Sequence, residues 1–369
     1  EAVERVREWA DANPDKAWVV GRGWTTFIGE EQATRQALDA AVPDRPVHLA
    51  SEDGTAAWVN SRALKLARIV RRAKDPVGAG IVRDVRGEPT GVLEGAAVLR
   101  ITSLLPKPSN ADRTRAMFAA LEEARRQGIT SIQTSGLEPG DIDALDKARH
   151  GGSLETRVYA ALAVRAPNRD DEIARLDPIL ERYPDDPMLK SGAADVDAAS
   201  TDADGLNRLV RLLDARGWQV SIHEKSMEEG IRSATALSHA MRSNPTRELE
   251  RRHRIEKHED RFGQVGTRHV VGSGWPYGPL SPMRVLASFQ EQMPLKDAIV
   301  GYTAASAYAS LDEQRKGTLK PGMLADIVVL SRNIFKMERR ELPSVTVSYT
   351  IFDGRVVYPV ERKSTTTFP

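Results

Sequence analysis

Residues 206–223 read LNRLVRLLDARGWQVSIH, and the fold follows from how this stretch divides. Leu206, Leu209, Val210 and Leu213 recur at the spacing of a helix with one apolar face. That spacing predicts a helix over 206–216. Gly217 stands where helices commonly close in a left-handed residue. Residues 218–222 then read as an apolar strand that ends at His223, and 227–241 return to a helical pattern.

The same alternation extends outward. Residues 111–127 form a long amphipathic pattern, with Gly128 as the closing residue and 129–133 as the strand after it. Residues 156–164 are a further strand, 2–10 are helical, and 17–21 and 47–49 are short apolar runs. Strand–helix alternation predicts parallel βαβ units. The number of units and the length predict an α/β fold of the (β/α)8 barrel type rather than an open sheet. In such barrels the chemistry sits just past the strand C-termini, where His223 falls. The tail differs. Residues 317–358 are rich in Val and Ile, with turns at 320–322 and at Asp353-Gly354. Within it, 325–330 and 355–358 read as antiparallel strands. A boundary near residue 310 divides a barrel over 1–309 from a small β-sandwich segment over 310–369.

Composition removes several function classes. The 369 residues carry 53 Lys plus Arg against 52 Asp plus Glu, a net charge of +1. A general nucleic-acid binder needs a basic surface to displace phosphate counterions, so none is expected. Residues are 40% hydrophobic and 28% charged, which is globular composition. Cys is absent, so disulfides, thiolate zinc sites and Cys nucleophiles are excluded. Any metal must be held by His, Asp, Glu or a modified Lys. No apolar run approaches the roughly 18 residues of a membrane span, and 1–20 lack the core of a signal peptide. A cytoplasmic protein without a membrane partner is expected. The chain starts at Glu1, so its natural N-terminus is expected to lie elsewhere.

Several stretches together resemble the amidohydrolase superfamily, in its amidohydrolase 3 or YtcJ-like branch. Trp18-Val19-Val20-Gly21-Arg22-Gly23-Trp24 is similar to that branch's WVVGRGW segment. Pro43-Asp44-Arg45-Pro46-Val47 followed by Asp53-Gly54-Thr55-Ala56-Ala57-Trp58-Val59-Asn60-Ser61 resembles its PDRPV…DGHAAWVNS block. Gly87-Glu88-Pro89-Thr90-Gly91-Val92-Leu93 matches GEPTGVL, and residues 317–326 match G-x-L-x-P-G-x-x-A-D. The resemblance implies a metal-dependent hydrolase: a barrel plus a β-sandwich built from both chain ends. The family's first strand, with its His-x-His metal motif, would lie before Glu1. Half the sandwich and a seventh strand are also missing from the pattern, so an incomplete view of a larger hydrolase is expected.

Site residues follow from the same resemblance. His223 is similar to the family's fifth-strand ligand. His258 lies one residue beyond the ligand position, which aligns with Lys257. Either His258 serves through a local bulge or that ligand is lost, because a one-residue slip turns a strand side chain to the other face. Lys190 stands where the family has a strand ending in a lysine that can bridge two metals. His253 reads as structural. Gly272-Ser273-Gly274-Trp275-Pro276 resembles GSDWP, but Gly274 replaces the Asp that binds metal and activates water. Thr55 replaces a His, and Thr134 stands where an Asp is frequent. Trp24, Trp58 and Trp275, with Thr55, are candidates to line a substrate pocket. The implied cofactor is a divalent metal, zinc in the first instance, as one or two ions.

The interval from Glu256 to Gly272 is too short for a strand, a helix and another strand. The resulting expectation is a hydrolase that cleaves a C–N bond of an amide or formamide with metal-activated water. Its alternative is an impaired relative that binds a small molecule or partner without turnover. An amide-like small molecule is the expected partner, and an exposed sandwich edge could pair two copies as a homodimer.

Overall fold

The computed structural model describes residues 1–24, 33–51, 54–75, 80–164, 170–183, 185–224, 226–244, 251–257, 262–265, 268–276, 278–289 and 293–359. The chain divides into two compact units, Glu1–Ser109 and Asn110–Pro369.

The first unit contains α1 (Ala2–Ala12), β1 (Val19–Trp24), α2 (Arg35–Ala41), β2 (Val47–Ser51), β3 (Ala56–Val59), α3 (Ser61–Leu66), β4 (Gly80–Arg83), β5 (Pro89–Glu94) and α4 (Ala96–Thr102). Its sheet runs β1-β2-β3-β5-β4. Only β1 and β2 pair in parallel; the remaining pairs are antiparallel. Asn60 explains how β3 turns into α3. Its side chain accepts from Ala63 N and Val47 N and donates to the carbonyls of Val42 and Arg45. Fully buried, it satisfies four polar groups at once, including a helix N-terminus.

The second unit opens with α5 (Asn110–Arg126), β6 (Ser131–Gln133), α6 (Pro139–His150), β7 (Arg157–Ala163), α7 (Asp170–Ala174), α8 (Asp177–Arg182) and β8 (Leu189–Asp197). It continues with α9 (Ala203–Ala215), β9 (Gln219–Glu224), α10 (Met227–Ser243), β10 (Arg254–Lys257), β11 (Phe262–Val265) and β12 (Arg268–Val271). Then come α11 (Pro282–Ser288), α12 (Leu295–Tyr302), α13 (Ala304–Ala309), β13 (Ile327–Leu330), β14 (Val347–Phe352) and β15 (Arg355–Tyr358). The helix over 206–216 and the strand that follows it are therefore observed within a residue or two at their ends, apart from an earlier helix start.

The main sheet has seven strands in the order β12-β11-β10-β9-β8-β7-β6. Strands β6 to β10 are parallel throughout. The sheet curls into a half-barrel, which agrees in part with the incomplete (β/α)8 barrel expected from the sequence. The parallel run ends at the short interval after Glu256. There β10, β11 and β12 pair antiparallel in succession, and the described residues of the interval hold no helix. A hairpin needs only a short loop, whereas a parallel crossover needs a dozen or more residues.

Apolar residues on one face of this sheet carry the core. Leu162, Leu189, Ala194, Val196, Val220 and Ile222 pack with Leu206, Leu209, Val210 and Leu213 of α9 and with Ala236 and Ala240 of α10. Gly217, at φ +101°, makes the sharp reversal from α9 into β9.

The tail forms a separate sheet, β13-β14-β15. The strands expected at 325–330 and 355–358 are both present, as β13 and β15, in an antiparallel sheet. Between them lies β14, which pairs antiparallel with both. Its residues, Val-Ser-Tyr-Thr-Ile-Phe, follow a turn-rich stretch that hides the strand from a local reading.

One buried ion pair ties this sheet to the main one. The Arg157 side chain is 2% exposed and donates to Asp326 at 2.7 and 2.9 Å. It also donates to Asp353 at 3.0 Å and lies 4.8 Å from the Phe352 ring centroid. Removing one partner of a buried pair leaves a charge without compensation. Asp326→Asn is expected to cost about 2–3 kcal/mol in urea unfolding, because Asp353 retains part of the compensation. Asp353→Asn, at an exposed partner, should cost less than about 1 kcal/mol. Equal, small losses for both variants would show that the pair does not anchor the sheet.

Candidate functional site

The period of two in a strand sorts β9 into two faces. Val220 and Ile222 point to the helices. Gln219, Ser221 and His223 point to the opposite face of the curled sheet. Parallel register sets Ser221 beside Asp195 and Arg254, and His223 beside Asp197 and Glu256. The result is a polar file near the carboxyl ends of β8, β9 and β10.

His223 is at its centre. Nε2 lies 2.5 Å from Asp195 Oδ1, and Nδ1 lies 3.6 Å from Glu256 Oε2. Glu256 Oε1 accepts from Ser221 Oγ at 2.7 Å and from Arg254 Nε at 2.6 Å. Arg254 also donates to Gln219 Oε1 at 3.0 Å, and Tyr159 OH donates to the same oxygen at 3.1 Å. A continuous chain of polar contacts therefore runs from Tyr159 to Asp195. Burial by itself lowers the affinity of His223 for its proton. The Asp195 hydrogen bond and the Glu256 charge outweigh it and push the pKa up to about 9. Burial alone would raise the Glu256 carboxyl; the Arg254 and His223 charges instead hold it down at about 2.

Asp195 and Glu256 were not selected from the sequence. Asp195 lies in a strand of Gly, Ala and Ser, which carries little β signal. Glu256 enters the sequence reading only as the start of the short interval to Gly272. The usable signal was the alternation of polar and apolar residues in 193–197 and 254–256.

Among the described candidates of the second unit, Lys190 stands apart from His223. His258 lies outside the described residues. Lys190 does not end its strand; it is the second residue of β8. Seven positions separate it from Asp197, the register partner of His223, which is roughly 20 Å at strand rise. Its Nζ donates to Leu311 O at 3.1 Å and lies 3.5 Å from Asp312 and 3.7 Å from Asp185. Trp24 and Trp58 are buried in the first unit, 6.0 Å apart in an edge contact. Their indole N–H groups donate to Leu49 O and Thr34 O. Thr55, in the same unit, is exposed. Thr134 Oγ1 accepts from Ala161 N.

Gly274 follows β12, which runs parallel to β10, so it lies at the same end of the sheet as His223. Two strands separate β9 from β12, a lateral distance of roughly 14 Å. Gly274 has φ +58°, and a Cβ built there would meet nothing within 4 Å. Trp275, next to it, is half exposed. There is room for a side chain at 274, but the backbone conformation favours Gly, Asn or Asp.

Imidazole and carboxylate are suitable donors for zinc and similar ions. Among the described residues, they do not by themselves complete a metal site. Asp195 and Glu256 engage different nitrogens of His223 instead of converging with it on one point. Among the described residues, no group of three His, Asp or Glu could hold an ion. No helix among the described residues is long and apolar enough to cross a membrane.

A half-barrel sheet with its polar cluster at the carboxyl end defines an α/β protein, and comparison makes the class specific. The chain matches the Amidohydrolase family over residues 1–259 and 267–358, and it belongs to that family. YtcJ of Bacillus subtilis (strain 168), which bears an amidohydrolase name, is 25% identical over 443 residues, covering 97% of this chain and 82% of that protein. Protein LONG AFTER FAR-RED 3 of Arabidopsis thaliana is 24% identical, covering 97% of this chain and 77% of its own length. A solved structure of an uncharacterized metal-dependent hydrolase from Pyrococcus horikoshii OT3 superposes with a TM-score of 0.65 at 17% identity, covering 92% of this chain and 81% of that one. That likeness shows the fold. The break in the family match at 260–266 falls within the hairpin interval.

A folded-state pKa of about 9 makes a sign-definite prediction for metal-free protein. His223 contributes stability that is fully present below its unfolded pKa of about 6.5 and is lost as pH rises through 9. The urea midpoint should therefore fall between pH 7 and pH 9.5, and His223→Gln should flatten that slope. An imidazole NMR titration of His223 with a midpoint near 6.5 would contradict the charge-clamped arrangement.

Proposed function

We propose that this chain is a hydrolase that cleaves a carbon–nitrogen bond of an amide or formamide in a small molecule. Membership of the Amidohydrolase family supports hydrolysis as the reaction type. The observation that carries the proposal is the Asp195–His223–Glu256 cluster at the carboxyl end of the parallel strands. With Asp195 holding Nε2, the Nδ1–H of protonated His223, 3.6 Å from Glu256 and beyond hydrogen-bond reach of it, is the one that donates toward a carbonyl oxygen or a departing nitrogen. Asp195 and Glu256 keep the ring charged and fix its orientation. The proposal extends to a divalent ion, zinc in the first instance, with His223 and His258 as imidazole ligands. An ion at His223 would take the place of its proton. Lys190, toward the other end of β8, stands outside that set.

A second reading, binding without turnover, is favoured by Gly274 and by the lack of a three-donor group among the described residues. The two readings separate on metal content and turnover. After expression in metal-supplemented medium, the hydrolase reading expects at least about half an equivalent of zinc, manganese or iron. It also expects turnover of a formamide or amide that falls at least ~100-fold in His223→Ala. Less than a tenth of an equivalent of metal, no turnover and saturable amide binding would replace it with the second reading. Gly274→Asp separates them further, since Asp tolerates the local φ. A gain of turnover would identify a lost base.

The sheet β13-β14-β15 is read as part of a β-sandwich, with a boundary near residue 310. A homodimer paired through its edge strand is tested by light scattering, and a monomer at ~100 μM would exclude it.

A further inference from the structure

The first unit holds a cleft of about 320 Å³ that neither the polar file nor the proposed reaction uses. Basic side chains from three separate segments line it: Arg35 at the start of α2, Lys65 in α3, and Arg68 and Arg71 in the loop after α3. Glu88 is the one acidic residue among those lining it, and Leu64, Ile69, Val70 and Pro89 supply apolar wall.

Among the described residues these cations share no ion pair, and the Arg35 charge acts only as a longer-range influence on Asp84. Elsewhere in the chain most arginines near a carboxylate form ion pairs. Arg45, Arg83, Arg113 and Arg149 are examples. Among the described residues, Arg35, Lys65, Arg68 and Arg71 form no ion pair and no side-chain hydrogen bond. Lys65 suits the negative carboxyl end of α3. That does not account for Arg35 and Arg71, which reach the same space from other segments.

Arg68 carries the argument further. Ile69 N donates to Leu64 O, and Arg68 N donates to Lys65 O, which together close α3 in a Schellman motif. Arg68 is the left-handed residue of that motif, at φ +55°. Helices place Gly or Asn there, because a Cβ disfavours the conformation. A bulky, exposed arginine in that position gains nothing from packing, and it adds a guanidinium to the cleft.

We propose that this cleft binds a small organic phosphate monoester. The guanidinium forks hold phosphate oxygens, and the apolar wall receives the organic group. Planar guanidinium groups match phosphate geometry, and the volume lies at the small end of ligand sites.

The test uses the full chain and isothermal titration with phenyl phosphate, inorganic phosphate and benzyl alcohol at low salt. Expected is one saturable site for phenyl phosphate, weaker binding of inorganic phosphate and none of benzyl alcohol. Arg68→Gly should keep or raise the melting temperature, since Gly suits the position, yet weaken phenyl phosphate at least about threefold. Arg71→Gln should weaken it similarly, and Glu88→Gln should tighten it. Three results would overturn the proposal: no saturable binding of phenyl phosphate up to ~10 mM, unchanged affinity in both arginine variants, or benzyl alcohol binding as tightly as phenyl phosphate.

Discussion

The second unit depends on one constraint, the burial of a single face of β7, β8 and β9 under the helices that follow them. Val220, Ile222, Val196 and Leu189 have no exposed alternative once α9 and α10 cover that side. Because side chains alternate, fixing these residues fixes the others. Gln219, Ser221 and His223 must face away from the helices. A shift of one residue in β9 would bury His223 among leucines and expose Ile222. Hydrophobic burial, which has no directional preference of its own, thus aims the polar groups.

On the polar side, the contacts are shared out with little redundancy. Gln219 accepts from Tyr159 and Arg254 and donates to the Ala309 carbonyl. Arg254 connects that amide to Glu256, and Glu256 faces His223. Each charge has an opposite charge within reach, which is the condition for keeping ionised groups in a partly buried place. The cost is geometric: groups that satisfy one another are not directed at a common point. This is why a histidine and two carboxylates can be neighbours without forming a metal site.

Much of the second unit was legible in the sequence. Leu206 to His223 gave helix, reversal and strand, because apolar spacing and Gly217 are local signals. The position of His223 at a strand's carboxyl end followed from the same stretch. Lys190 was misplaced because the strand around it is built from Gly, Ala and Ser, which leave its ends unmarked. The hairpin after Glu256 was anticipated only as a shortage of residues, since antiparallel pairing depends on contacts that no local pattern announces. The partners of His223 lie 28 and 33 positions away in sequence. Their approach is a property of register, not of motif. Trp24 and Trp58 are buried in the first unit, where large aromatic rings contribute by filling a core.

The contact of Arg157 with the tail has a consequence for synthesis. Asp326 and Asp353 lie 169 and 196 residues further along the chain. On the ribosome, β7 is complete long before either carboxylate exists. Until they emerge, an arginine destined for the interior has no counter-charge and is held at the surface by its hydration. Closure of that end of the sheet therefore waits until the segment carrying both carboxylates has been made.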